Sequence, residues 1–147
     1  MVVVIVANGS MEEAGPAREI AGRADRLIGA DGGTRHILSW GLLPHCVIGD
    51  MDSLDEETLR GLKTAGVRLE RHPTHKDETD LELALDLALA EGATEIIILG
   101  ALGGRLDQTI ANILLLAAPR FQPAPIVICE GRDRLFLGRS PANISGR

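Results

Sequence analysis

Short runs of β-branched and aliphatic residues alternate along this chain with longer stretches rich in Leu and Ala. A strand, a helix and a second strand in succession form a right-handed crossover that joins two parallel strands. The alternation therefore predicts an α/β fold: a three-layer, Rossmann-like domain with a mainly parallel sheet and helices on both faces. The predicted strands span residues 2–7, 26–30, 45–49, 67–71, 95–99 and 125–129, with the predicted helices between them.

The composition fits such a sheet. Of the 147 residues, 45% are hydrophobic and only 2% are aromatic, so Val, Ile, Leu and Ala must fill the core. Strands built from these residues are typical of parallel sheets that helices cover on both faces. The length suits a single domain, and the sequence contains no internal repeat.

Charge and cysteine content limit the partners and the compartment. The formal net charge of −6 does not attract DNA or RNA, and the scarce aromatic side chains offer no platform for stacking bases. The apolar run Val2–Val6 is too short for a membrane span and has no basic segment before it. Cys46 and Cys129 lie in apolar runs, where we expect buried, reduced thiols. We therefore predict a cytoplasmic protein that binds neither nucleic acid nor a membrane.

Two helix starts carry the pattern of a capping box, in which an N-cap hydroxyl and a Glu three residues later bind otherwise free backbone N–H groups. The two pairs are Ser53 with Glu56 and Thr79 with Glu82. We expect one helix to begin at each pair. Another helix is expected over residues 108–118, before Pro119.

Glycine, a carboxylate or both follow each of the first five predicted strands. In an open parallel sheet, ligands bind beyond the carboxyl ends of the strands. The five segments are Ala7-Asn8-Gly9-Ser10, Asp31-Gly32-Gly33-Thr34, Gly49-Asp50-Met51-Asp52-Ser53, Lys76-Asp77-Glu78-Thr79-Asp80 and Gly100-Ala101-Leu102-Gly103-Gly104-Arg105-Leu106-Asp107. Six aspartates would then converge on one edge of the sheet: Asp31, Asp50, Asp52, Asp77, Asp80 and Asp107.

A cluster of carboxylates is unfavourable unless a positive charge lies among them, because like charges repel. A hard divalent cation with oxygen ligands meets that need. Glycine lets backbone N–H groups approach an anion closely, and helix N-termini attract it. Lys76 and Arg105 add charges that suit phosphate oxygens. Together the strand ends predict a site for a metal–polyphosphate complex.

Each segment also has an ordinary structural explanation. Asp50 and Asp52 are common turn residues. Asp77, Thr79 and Asp107 stand where helix N-caps belong. A purely structural origin does not explain why five successive strand ends share the pattern. The P-loop motif and the Gly-x-Gly-x-x-Gly motif are both missing from the sequence, which argues against P-loop and dinucleotide-binding enzymes.

Four of the strand-end segments together resemble the thiamine pyrophosphokinase family. They are Asp31-Gly32-Gly33, Gly49-Asp50-Met51-Asp52-Ser53, Lys76-Asp77-Glu78-Thr79-Asp80 and Gly103-Gly104-Arg105-Leu106-Asp107, and Asn112 fits the same pattern. The resemblance covers about residues 1–135. It implies an ATP-binding catalytic α/β domain over residues 1–130. Residues 131–147 would be a linker or the start of a truncated C-terminal β-sandwich domain whose remainder is absent.

The resemblance also implies a reaction and its participants. The hydroxyl of thiamine would attack the β-phosphorus of ATP, giving thiamine diphosphate and AMP. Mg²⁺ would be the cofactor, and the family pattern implies a homodimer. Asp50 and Asp52 would hold Mg²⁺ on the polyphosphate. Asp77 and Asp80 would complete the acidic metal cluster, and one of these two would place or deprotonate the attacking hydroxyl.

Further residues are implied in binding. Arg105 would contact phosphate as a catalytic residue, and Asp107 would anchor the metal or the substrate. The residues implied in ATP binding are Asn8, Gly9, Asp31, Gly32, Gly33, Asp52, Ser53, Lys76, Thr79, Gly103, Gly104 and Arg105.

Three other functions use the same strand-end residues. A diphosphokinase that acts on a pterin alcohol would share the acidic site and differ in its acceptor pocket. A non-catalytic nucleotide-binding module would keep the glycine loops and need fewer carboxylates. A metal-dependent phosphohydrolase would use water in place of the acceptor alcohol, and the residues alone do not separate it from a diphosphokinase.

Overall fold

The computed structural model describes residues 1–73, 78–138 and 145–146. Strands and helices alternate as the sequence predicts. The strands are β1 (Val2–Val6), β2 (Arg26–Ala30), β3 (Cys46–Gly49), β4 (Arg68–Arg71), β5 (Glu95–Leu99), β6 (Ile126–Glu130) and β7 (Asp133–Phe136). The helices are α1 (Ala14–Gly22), α2 (Gly33–Ser39), α3 (Glu56–Thr64), α4 (Asp80–Ala90) and α5 (Leu106–Leu114), with short 3-10 helices at Leu115–Ala117 and Pro119–Phe121.

The strands form one sheet in the order β4-β3-β2-β1-β5-β6-β7. The first six run parallel, and β7 runs antiparallel to β6. At the centre of the sheet, Ile5 of β1 lies between Ile28 of β2 and Ile98 of β5. The prediction of an α/β domain with a mainly parallel sheet is confirmed.

Helices cover both faces of the sheet, which gives the three predicted layers. Because side chains alternate along a strand, Val3 of β1 packs in one apolar cluster with Leu85 of α4. Val4 packs on the opposite face with Ala17 of α1 and Ile37 of α2. A third cluster joins β3 to α3. Burial on both faces explains why the sequences of the central strands are continuous apolar runs.

The order in which the chain adds strands reverses at β1. The chain adds β2, β3 and β4 on one side of β1 and then places β5 and β6 on the other side. The segment that follows β1 leads to α1 on one face of the sheet, and the segment that follows β5 leads through α5 to Leu116 on the other face. They leave a crevice at the carboxyl ends of these strands, the usual ligand position in open α/β sheets.

The two predicted capping boxes have different outcomes. Thr79 and Glu82 form the complete reciprocal box at the start of α4, as predicted. The prediction for Ser53 is wrong, because Asp55 is the N-cap of α3 and its side chain accepts a backbone N–H of the first turn. The Ser53 hydroxyl instead donates to Oδ1 of Asp31 at 3.2 Å. A tertiary hydrogen bond has replaced the local one.

The last predicted helix also differs from the structure, and the structure adds one strand. α5 begins at Leu106 rather than at Gln108, and the 3-10 helices replace its last turn. Strand β7, which is not among the predicted strands, follows β6 through a turn at Gly131 and Arg132. Within residues 1–73, 78–138 and 145–146, no helix has the length and apolar character needed to cross a membrane.

Candidate functional site

A cavity of about 520 Å³ lies in the crevice where the strand order reverses. Its size falls within the range of small-molecule sites, roughly 300–1,000 Å³. It is lined by Ala7, Asn8 and Gly9 after β1, Ala30 and Asp31 at the end of β2, Asp50 after β3, Glu78, Thr79, Asp80 and Leu81 around the start of α4, and Gly100, Gly103, Gly104, Arg105, Gln108 and Asn112 after β5.

Three aspartates from different elements line this cavity. Asp31 follows β2, Asp50 follows β3 and Asp80 opens α4. Burial raises the pKa of the Asp31 carboxyl above its ordinary value of 3.8, and the negative charges of Asp80 and Asp50 raise it further. The hydrogen bond from Ser53 opposes this rise in pKa. Asp31 is therefore close enough to both other carboxylates to be repelled by them, and a cation among them would relieve that repulsion.

The backbone that carries these carboxylates adopts uncommon conformations. In the described part of the chain, the non-glycine residues with positive φ are Asp31 (49°) and Met51 (70°). Aspartate tolerates this region better than most residues, whereas methionine does not. Burial in the apolar cluster of β3 and α3 holds Met51 in place. Gly49 has a φ of 139°, and a Cβ there would lie 2.9 Å from Oδ2 of Asp80. Backbone strain of this kind is concentrated at functional sites.

Two of the predicted catalytic aspartates lie outside the cavity lining. The side chain of Asp52 is exposed, and its backbone N–H donates to Oδ1 of Asp50 at 2.9 Å. Asp107 is exposed and forms an ion pair with Arg105 at 2.6 Å. The backbone N–H of Gln108 lowers the pKa of Asp107, and Arg105 lowers it further. Arg105 itself lines the cavity, with 83% of its side chain exposed.

The predicted glycine loops pack against one another. A Cβ at Gly33 would overlap the carbonyl oxygen of Val6, and a Cβ at Gly9 would overlap that of Gly100. Gly103 is equally close to the loop that follows β1. The Gly9 N–H already donates to the Gly100 carbonyl at 2.7 Å. These glycines therefore allow the loops after β1, β2 and β5 to meet, while Gly33 itself lies outside the lining.

Asn8 and His36 fix the loop that follows β1. The amide of Asn8 lies directly against Gly32, which leaves no room for a side chain at that position. Nε2 of His36 donates to the carbonyl oxygen of Gly9 at 2.8 Å, and the His36 ring stacks on Trp40. The helix α2 thus holds the loop from one side, while Gly32 stays outside the cavity lining.

Several lining residues were not among the residues assigned to the site from the sequence. Glu78 and Leu81 line the cavity beside Thr79, and Gln108 and Asn112 line it from α5. Asn112 was noted only as part of the family pattern. Helical spacing offered a usable signal, because residues 108 and 112 are one turn apart and share a face of α5. What the sequence does not show is which face of α5 meets the cavity.

The described residues contain no group of three His, Cys, Asp or Glu side chains arranged to hold a metal ion. A Mg²⁺ site does not require such a group, because proteins commonly bind Mg²⁺ through one or two carboxylates together with substrate phosphates and water. Asp31, Asp50 and Asp80 supply oxygen ligands of the suitable kind. Lys76 and Asp77 lie outside the described residues, so their roles stay predictions.

Comparison with known proteins identifies the family. Residues 17–128 match the family model of the thiamin pyrophosphokinase catalytic domain. The chain belongs to this family. Thiamine pyrophosphokinase of Bacillus subtilis is 43% identical to it over 89 residues, which make up 60% of this chain and 42% of that protein. The resemblance inferred from the four strand-end segments is therefore confirmed.

Solved structures of the family share the fold. A thiamin pyrophosphokinase family protein from Enterococcus faecalis superposes with a TM-score of 0.73 at 34% identity, over 90% of this chain and 62% of that one. Yeast thiamin pyrophosphokinase superposes with a TM-score of 0.74 over 88% of this chain and 58% of that one, and its 18% identity supports the fold alone. The chain spans between 37% and 50% of the length of the curated relatives that it matches.

Proposed function

We propose that this chain carries the catalytic machinery of a thiamine pyrophosphokinase, which transfers the diphosphate group of ATP to the hydroxyl of thiamine and releases AMP. One observation carries the proposal: in a chain of this family, Asp31, Asp50 and Asp80 come from three elements to line one cavity at the strand-order reversal. An acidic site of this kind suits a polyphosphate that arrives with a divalent cation.

Positioning and charge neutralisation would supply most of the catalysis, as in other phosphoryl transfers. We propose that Asp50 and Asp52, together with Asp77 and Asp80, hold Mg²⁺, which neutralises polyphosphate charge when bound. Either Asp77 or Asp80 would accept the proton of the attacking hydroxyl. Arg105 would bind phosphate, and the ion pair with its neighbour Asp107 would hold the guanidinium in position.

The nucleotide side of the cavity is proposed to be the edge formed by Asn8, Gly9 and Asp31. Thr79, at the N-terminus of α4, and Gly104, in the β5–α5 loop, lie where backbone N–H groups and a helix N-terminus can approach phosphate. The proposal also includes a homodimer and a cytoplasmic location. Support for the homodimer comes from the family pattern and from the exposed apolar side chains of α5.

The reaction is tested by incubating the protein with ATP, Mg²⁺ and thiamine and identifying the nucleotide product. AMP formed together with thiamine diphosphate supports the proposal. ADP would overturn the diphosphokinase assignment, and thiamine-independent release of phosphate would point to a phosphohydrolase instead. Parallel incubations with a pterin alcohol compare the second acceptor class.

A matched pair of variants on α4 tests the acidic site. Asp80 lines the cavity, whereas Asp86 lies on the same helix, away from the cavity and near Arg120. Asp80→Asn is expected to lower kcat by about 100-fold or more, the scale of a lost acid–base or charge contribution. Asp86→Asn is expected to leave kcat within about twofold of the native value. Equal activity of the two variants would remove Asp80 from the proposed machinery.

A further inference from the structure

A buried asparagine fixes the orientation of a neighbouring amide at the cavity. Asn112 is only 5% exposed, and its Nδ2 donates to the carbonyl oxygen of Ala101 at 2.9 Å. A carbonyl oxygen can only accept a hydrogen bond, so the nitrogen of the Asn112 amide must face Ala101. The oxygen Oδ1 therefore points the other way, towards Gln108.

The same logic orients Gln108. Its Nε2 donates to Oδ1 of Asn112 at 3.2 Å, across one turn of α5. Because Oδ1 has no proton to give, this end of the Gln108 amide must be the nitrogen. The opposite branch of the amide is then Oε1, a hydrogen-bond acceptor. Ala101, through Asn112, thus decides the polarity that Gln108 presents, and Gln108 lines the cavity.

The orientation limits what the oxygen Oε1 of Gln108 can recognise. Phosphate oxygens are acceptors at neutral pH, so Oε1 of Gln108 does not bind them. A neutral amide oxygen is also far too weak a base to remove the proton of an attacking hydroxyl, a task that suits the carboxylates across the cavity, such as Asp80. A donor group of a substrate that does not itself react is a suitable partner for Oε1.

We infer that Gln108 is a specificity-determining residue that accepts a hydrogen bond from a non-reacting N–H or O–H group of one substrate, and that Asn112 and the Ala101 carbonyl set its polarity. The inference rests on the proposed function for the identity of the substrates. The two sources of such a donor are the nucleotide, through its base amino group or ribose hydroxyls, and the acceptor alcohol, through the amino group of its ring.

Paired substrates and analogues distinguish these sources. The nucleotide arm compares ATP with purine riboside triphosphate and with 2′-deoxy- and 3′-deoxy-ATP. The alcohol arm compares thiamine with its analogue that lacks the ring amino group. The native protein is expected to lose about three- to tenfold in kcat/KM for the analogue that lacks the recognised donor, the scale of one neutral hydrogen bond.

The variant Gln108→Leu is expected to abolish this discrimination, so that substrate and analogue differ by less than about twofold. Gln108→Glu keeps an acceptor oxygen but loses the N–H that donates to Asn112, so its discrimination is expected to lie between those of the native protein and Gln108→Leu. A Gln108→Leu variant that lowers kcat/KM equally for substrate and analogue, and so retains the native ratio in every pair, would overturn the inference. A purely structural role for Gln108 would give that result.

The affinity of the protein for ATP and for each ATP analogue is also measured by titration calorimetry, without turnover. If the native protein forms no AMP from ATP and thiamine, the proposed function fails. The calorimetric comparison of native protein and Gln108→Leu still tests the nucleotide donor. Because the Gln108 side chain is exposed, its replacement is not expected to prevent folding.

Discussion

Asp31 combines two unfavourable features in one residue. Its backbone is left-handed, with a φ of 49°. Burial and the charges of Asp80 and Asp50 raise the pKa of its carboxyl. The hydroxyl of Ser53 and the backbone N–H of Gly32 oppose that rise in pKa without removing it. The fold therefore disfavours the ionised form of this carboxyl relative to its neutral form.

We expect Asp31→Asn to be more stable than the native chain at pH 7. A carboxyl whose folded pKa lies above 3.8 adds its full stability below that pH and loses it as the pH rises through the folded pKa. Asparagine removes the repulsion and tolerates positive φ. The gain is about 0.5–1 kcal/mol, at the low end of ordinary stabilising substitutions because water screens a partly buried group.

Urea unfolding at pH 7 and at pH 4 measures this effect. The difference between Asp31→Asn and the native chain should shrink at the lower pH, where protonation removes the same repulsion. Asp86→Asn is the control, because that carboxylate is outside the cavity. A lower free energy of unfolding for Asp31→Asn at pH 7 would contradict the expectation.

At the scale of elements, the loops around the cavity depend on contacts between backbones. Gly33→Ala would place a Cβ on the Val6 carbonyl oxygen, and neither backbone can move without disturbing β1 or α2. We expect a loss of roughly 2–4 kcal/mol in the free energy of unfolding, measured by denaturant titration.

The helix α3 offers the matched control. A Cβ at Gly61 meets no atom within 4 Å, and glycine in the interior of a helix is less stable than alanine. Gly61→Ala is therefore expected to raise the free energy of unfolding by roughly 0.5–1 kcal/mol. A Gly33→Ala variant at least as stable as the native chain would show that the Gly33 contact is not a steric requirement.

The elements themselves were largely predictable from local patterns. Val2–Val6 is a continuous apolar run, and burial on both faces of a parallel sheet requires that pattern. The Thr79–Glu82 box is local and was predicted correctly. The capping-box prediction at Ser53 is wrong because its hydroxyl binds Asp31, 22 residues away in sequence. A local motif cannot reveal a hydrogen-bond partner that is distant in sequence.

The remaining differences have similar causes. Gly131, with a φ of 56°, makes a tight turn into β7, so glycine between two short runs was an available signal for a hairpin. The convergence of Asp31, Asp50 and Asp80 followed from their positions after strands. The position of Asp107 outside the lining could not be predicted in this way, because its ion pair with Arg105 depends on the geometry of the loop.

At the scale of the whole molecule, an apolar surface on α5 remains exposed. Leu106, Ile110 and Leu114 of α5 are exposed by 73%, 49% and 65%. Their spacing of four residues places them on one stripe of the helix. Arg105 and Gln108 of the cavity lining adjoin this stripe in sequence. A second copy of the chain that covered the stripe would therefore lie beside the cavity, which agrees with the proposed homodimer.

We expect the native protein to self-associate and the double variant Leu106→Lys, Leu114→Lys to be monomeric, because charges on the stripe oppose its burial. Sedimentation velocity over a range of protein concentrations measures the oligomeric state. Leu43→Lys is the control, since Leu43 is also exposed, by 54%, and lies outside α5. Dimers that persist in the double variant would exclude the α5 stripe as the contact.

The left-handed conformation of Asp31 also matters for engineering of this protein. A search guided by thermal stability alone would choose asparagine at this position, since asparagine accepts positive φ readily and carries no charge. Such a search would change a residue that lines the cavity. Selection for heat resistance in this chain therefore has to be coupled to selection for turnover, because at Asp31 the two requirements oppose each other.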